Sequence, residues 1–166
     1  MAAHAEPGRR STALASSLGL TTVDAAASPP PWWVWAGALL AAAAAPFVLT
    51  VLGAADWRRQ PPAPASLFWF VLLGPLVEEI LFRGGLQEWL LRRRMPALGP
   101  WSLANALASA AFVVLHGFSH PPIWALATLL PALVIGWFYE RGRALWRPVL
   151  LHMIYNAVFF GALTSS

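Results

Sequence analysis

Glu78, Glu79 and Arg83 stand in "LVEEILFRGG", residues 76–85, within one of the most apolar parts of the sequence. A charged group at membrane depth costs roughly 2.5–3.5 kcal/mol even on lenient insertion scales, so three of them need a reason. Successive helical residues are about 100° apart, since a turn holds about 3.6 residues. Glu79 and Arg83 therefore share a face and can pair at i,i+4. Glu78 points away from Arg83. One carboxylate is neutralised locally and its neighbour is left free.

Two further apolar segments carry polar groups of catalytic type. "FVVLH" places Phe112 and His116 on one face, and "HMIYN" does the same for His152 and Asn156. Taken singly, each has a bland reading. The ion pair can be helix glue. The histidine can bond a backbone carbonyl. An interhelical hydrogen bond contributes about 0.6 kcal/mol. Three such sets on three segments point instead to a site. A carboxylate beside an imidazole can activate a water. A second imidazole and an amide can donate to a developing oxyanion. That set suffices for peptide hydrolysis without a covalent nucleophile, metal or other cofactor, and the free Glu78 is the natural base.

The residues bear unequally on other intramembrane chemistries. No His-Glu-x-x-His is present, and both aspartates, Asp24 and Asp56, lie outside the apolar segments. Ser109 has no Gly-x-Ser context. A zinc site from Glu78, His116 and His152 stays open, since those are zinc-ligand types. His120 is four residues past His116, but Pro121 and Pro122 place it in a loop. A non-catalytic scaffold that keeps the polar set as glue also stays open. A proton-relaying transporter is disfavoured, because the sequence shows no internal repeat.

These residues need helices to position them. The chain has 166 residues, 58% hydrophobic and 11% charged, with ten tryptophans. Soluble domains carry about 25% charged residues. The expectation is an all-α, polytopic membrane bundle of about five transmembrane helices in a lipid bilayer. Residues 1–31 read as a disordered cytoplasmic tail, 32–65 as a first transmembrane helix and loop, and 66–166 as the core. The spans are 32–53, 66–92, 101–118, 122–139 and 145–163, with Pro75 a possible kink point because it lacks a donor. All eleven basic residues are arginine. Arg9, Arg10, Arg92, Arg93, Arg94, Arg141, Arg143 and Arg147 fall on one side of five spans, and Arg58 and Arg59 on the other. The positive-inside rule then makes the first side, with the N-terminus, cytoplasmic. Arginines scattered in small groups between apolar segments exclude a nucleic-acid partner, and the absence of cysteine excludes disulfides and thiolate ligands.

Counted from the flanking Arg92 and Trp101, Glu78 and His116 both lie roughly 20 Å deep at 1.5 Å per residue. His152, counted from Arg147, is only about 8 Å deep by the same rise. The sequence offers no reason for that offset.

"EEILFR", "FVVLH" and "HMIYN" together resemble the Glu-Glu-x-x-x-Arg, Phe-x-x-x-His and His-x-x-x-Asn motifs, in that order, of the CPBP family. These are the CAAX proteases and bacteriocin-processing enzymes, also called the ABI family. The resemblance covers residues 66–163. It implies a glutamate-dependent intramembrane endopeptidase of a bacterial inner membrane, cutting near the C-terminus of a membrane-associated protein substrate. It assigns Glu78 and His116 to water activation and His152 and Asn156 to the oxyanion site. Glu79, Arg83 and Phe112 would support the site's shape. The chain has one helix before the motif core, where prenyl-CAAX enzymes have several. That shortness is similar to sorting-tail processing enzymes such as the myxosortases, or to bacteriocin-immunity proteins.

Overall fold

The computed structural model describes residues 30–51, 63–93, 95–98 and 101–164. Residues 1–29 of the expected tail and the arginines Arg9, Arg10, Arg58, Arg59 and Arg94 lie outside the described residues. Helix α1 is Trp32–Val51. Helix α2 runs without a break through residues 64–92. Helix α3 is Leu103–Gly117, α4 is Pro122–Ala127, α5 is Leu129–Glu140 and α6 is Trp146–Thr164. The all-α expectation holds, with one small addition. Strands β1, Ala97–Leu98, and β2, Trp101–Ser102, form an antiparallel pair ahead of α3.

Pro75 does not break α2. It cannot donate to the carbonyl four residues back. The backbone answers by widening: Trp69–Leu73 is π-helical, and the Gly74 N–H bonds the Trp69 carbonyl five residues earlier. A second π-helical stretch, Ile80–Gln87, follows further along, and the Glu88 N–H reaches the Arg83 carbonyl. Glu78 and Glu79 end the short α-helical stretch between the two, Gly74–Glu79. Such expansions inside α-helices are rare and recur at functional sites.

Ser102 starts α3 by accepting the Asn105 N–H at 3.0 Å. This N-cap satisfies one of the helix's orphan donors. Pro122 opens α4 at a first-turn position, where its missing N–H costs nothing. Arg143, at φ 46°, occupies the left-handed region in the turn between α5 and α6.

A polar cluster is buried in the bundle beside its apolar core, and much of the α2 surface is apolar. Glu79, Arg83, Gln87, Glu88, Asn105, Ser109 and His152 are buried, while Leu76, Val77, Ile80 and Leu81 of α2 are exposed. Exposed apolar surface on this scale marks a membrane or partner surface. By length and hydropathy, one helical run among the described residues, Pro122–Glu140, passes as a span; Trp32–Ala44 and Leu103–Gly117 are shorter apolar stretches.

Polar side chains of α2 and α3 hold α5 through its carbonyls. Arg83 Nη2 donates to Ala132 O at 3.0 Å, Asn105 Nδ2 to Leu133 O at 2.9 Å and Gln87 Nε2 to Gly136 O at 3.1 Å. Gly136 permits this approach, since a Cβ there would sit 1.9 Å from Asn105 Oδ1. An apolar core of Ala38, Ile135, Phe138 and Leu151 joins α1, α5 and α6, with Trp35 edge-on to Phe138 at 4.5 Å.

Candidate active site

Glu79 is fully buried and engaged at both oxygens. Its Oε2 accepts from Arg83 Nε at 3.0 Å. Its Oε1 accepts from His152 Nδ1 at 2.8 Å. Arg83, also fully buried, spends its Nη2 on α5. The ion pair read from i,i+4 spacing is present, and it sits inside a chain of contacts across α5, α2 and α6.

Glu78 is in a different position. Its side chain keeps 31% exposure, and its Oε2 lies 3.7 Å from His152 Nε2. That separation is too long for a hydrogen bond. The two adjacent glutamates thus flank one imidazole, the buried one at Nδ1 and the open one at Nε2.

The depth offset expected for His152 disappears, because the arginines were the wrong markers. Glu88 accepts from Arg143 Nη1 at 2.6 Å and from Tyr139 Oη at 2.9 Å. Glu88 is therefore level with the turn between α5 and α6. Glu79 lies nine residues before Glu88, and His152 nine residues after Arg143. The two meet directly, His152 Nδ1 on Glu79 Oε1 at 2.8 Å. Arg92 extends a further turn beyond Glu88, pairing back to it at 3.0 Å.

His116 is near the C-terminal end of α3. Its Nδ1 stands 2.9 Å from Phe112 O. A carbonyl can only accept, so Nδ1 carries the hydrogen and Nε2 is the free nitrogen. No hydrogen bond joins His116 to Glu78 among the described residues. The Phe112 ring neighbours both imidazoles, 4.2 Å from His116 and 5.9 Å from His152 by centroid. The Arg83 guanidinium is 6.0 Å from the same ring. His120, exposed in the turn after α3, stacks on Trp124 at 3.9 Å.

Asn156, one turn beyond His152, donates through Nδ2 to Phe70 O at 2.8 Å. Phe70 belongs to the first π-helical stretch of α2, so the widened backbone supplies this acceptor. A primary amide has two hydrogens, and one is left over. Just past this contact, Leu67, Val71, Leu72, Ala157 and Phe160 line an open apolar groove of about 390 Å³.

Ser109 donates to Asn105 Oδ1 at 3.1 Å and is fully buried, which makes it part of the α3–α5 contact. Among the described residues, no group of three or more His, Asp or Glu is placed to hold a metal ion. Sequence reasoning gave no role to Gln87 or to Glu88 with Tyr139 and Arg143. Gln87 had a signal: it continues the stripe of Glu79 and Arg83 at four-residue spacing. Gly136 had one too, since a glycine inside an apolar helix marks close approach.

No curated protein and no solved structure matches the chain. Residues 60–158, more than half of it, match the family described as Rce1-like, type II CAAX prenyl endopeptidase Rce1-like. The matched range holds all three motifs and ends just past Asn156. A membrane-embedded helical protease accounts both for that match and for a buried polar cluster under an apolar surface, and the chain belongs to the Rce1-like family of type II CAAX prenyl endopeptidases.

Proposed function

We propose that the protein is a glutamate-dependent intramembrane endopeptidase that cuts a peptide bond near the C-terminus of a membrane-associated protein. The observation that carries this reading is the unequal state of the two glutamates. Glu79 is occupied at both oxygens, while Glu78 is open and faces an imidazole. Glu78 takes a proton from water, with His116 Nε2 as the second group on that water. His152 and Asn156 face the oxygen of the scissile carbonyl as charge develops on it. Phe112 packs beside both imidazoles, and Glu79 with Arg83 keeps the set in shape. The apolar groove beside Asn156 suits a hydrophobic stretch of the substrate. The same polar set would also serve a non-catalytic scaffold as glue, but glue needs no open carboxylate.

The test is cleavage by the purified protein, in detergent or vesicles, of a membrane substrate bearing a C-terminal hydrophobic tail. Cleavage is expected to survive exhaustive chelation. Loss of activity with chelator, restored by one zinc per chain, would put Glu78, His116 and His152 around a metal instead. No cleavage of any tail-bearing substrate would favour the scaffold.

The same reading places the protein in a bacterial inner membrane with the 141–147 turn in the cytoplasm. Arg92 and Arg143 meet on Glu88, so two arginine groups share one end of the bundle. An excess of arginine marks the cytoplasmic side. A reporter fused after Ser166 is expected to read as non-cytoplasmic; a cytoplasmic signal there would reverse the orientation.

A further inference from the structure

We infer that Glu79 is a positioning residue for the reaction: by holding His152 Nδ1–H it makes Nε2 the working nitrogen and directs it at Glu78. This deepens the endopeptidase reading and rests on it. Arg83 offers only donors, so both Glu79 oxygens act as acceptors, one for Arg83 Nε and one for His152 Nδ1. In the neutral ring the lone pair is then on Nε2, 3.7 Å from Glu78 Oε2. A proton that Glu78 removes from water has a receptor beside it. Once Nε2 takes that proton, the ring is cationic, Glu79 faces its Nδ1–H, and its Nε2–H can donate to the oxyanion until the proton returns through Glu78 to the amine nitrogen that leaves as the C–N bond breaks. Burial of Glu79 leaves no water to substitute for this contact. A carboxylate that orients an imidazole in this way serves the Ser-His-Asp proteases. Here it would serve an enzyme whose base is another carboxylate.

Glu79→Gln separates this role from simple support. The amide has one oxygen and one NH2. Arg83 can only donate, so it takes the oxygen, and the NH2 falls on His152 Nδ1. Nδ1 must then accept, and the ring hydrogen moves to Nε2. The hydrogen-bond partners are kept, although the Arg83 charge loses its counter-ion and the variant is expected to melt lower, while the nitrogen facing Glu78 can no longer receive a proton. In serine proteases the corresponding exchange lowers kcat by about 10⁴-fold through the wrong tautomer. A fall of about 10³–10⁴-fold in kcat is expected here, with KM little changed, as for an interaction used only in the transition state.

The tautomer itself is read by nitrogen NMR of ¹⁵N-histidine-labelled protein in detergent. The His152 signal is assigned by its loss in His152→Gln. Nδ1 of His152 is expected to carry hydrogen in the wild type and to lack it in Glu79→Gln. A bare Nδ1 in the wild type overturns the inference without any variant. So does a folded Glu79→Gln protein that keeps Nδ1–H or cleaves at the wild-type rate. Failure of the endopeptidase reading would look different: the wild type would cut no substrate, while Nδ1 still reported which atom Glu79 holds.

Discussion

Glu78→Gln is expected to lower the cleavage rate by about 10²–10⁴-fold or more, because general acid–base catalysis contributes that range. Folding should be almost untouched. Glu78 is partly open, it donates to nothing, and its contact with His152 is a 3.7 Å approach rather than a hydrogen bond. Glutamine matches its volume and removes the charge and the ability to take a proton. The check is single-turnover cleavage beside thermal melting in the same detergent. A variant that melts like the parent and cuts no faster than about a hundredth of its rate fits the base assignment, at the low end of that range. A variant that cuts at the parental rate excludes Glu78 as the base, however well the site is shaped.

That prediction was available from the sequence, and the reason is local geometry. Neighbouring residues on a helix face different ways, so "EEILFR" alone assigns Glu79 to Arg83 and leaves Glu78 over. The two other motifs are also local, and all three helices form where expected. What the sequence did not yield is long-range. Counting from Arg147 and Arg92 makes His152 too shallow, because those arginines do not mark the edge of the bundle. The turn at Arg143, tied to Glu88, is the better marker, and only the packing of α2 on α5 and α6 reveals it. The π-helical stretches were equally hidden. Pro75 announced a local disturbance, but a kink and a widened turn cost the chain similar local adjustments. The choice falls to tertiary contacts, among them the bond from Asn156 to the Phe70 carbonyl. The α5 carbonyls that accept from Arg83, Asn105 and Gln87 have no sequence signature at all, because every residue carries a carbonyl.

Arg83 is where the largest loss of stability is expected. Arg83→Met keeps most of the side-chain stem and removes the guanidinium. Glu79 is then left buried with His152 as its remaining partner, and Ala132 O loses a donor. Breaking a buried pair by removing one member costs about 3–5 kcal/mol, because the other charge stays uncompensated. Arg92→Met is the control on the same helix. Its side chain is 53% exposed, and Glu88 keeps Tyr139 and Arg143 when Arg92 is gone, so the expected cost is about 0–1 kcal/mol. Unfolding of both variants in mixed micelles measures the difference. The double variant Glu79→Gln with Arg83→Met sharpens it. If the cost of Arg83→Met comes from a stranded carboxylate, neutralising that carboxylate should return part of it, and the two changes together should cost clearly less than their sum. Strict additivity would mean that Arg83 stabilises the bundle through Ala132 O and the Phe112 ring rather than through Glu79, and the ion pair would then be a bystander to folding.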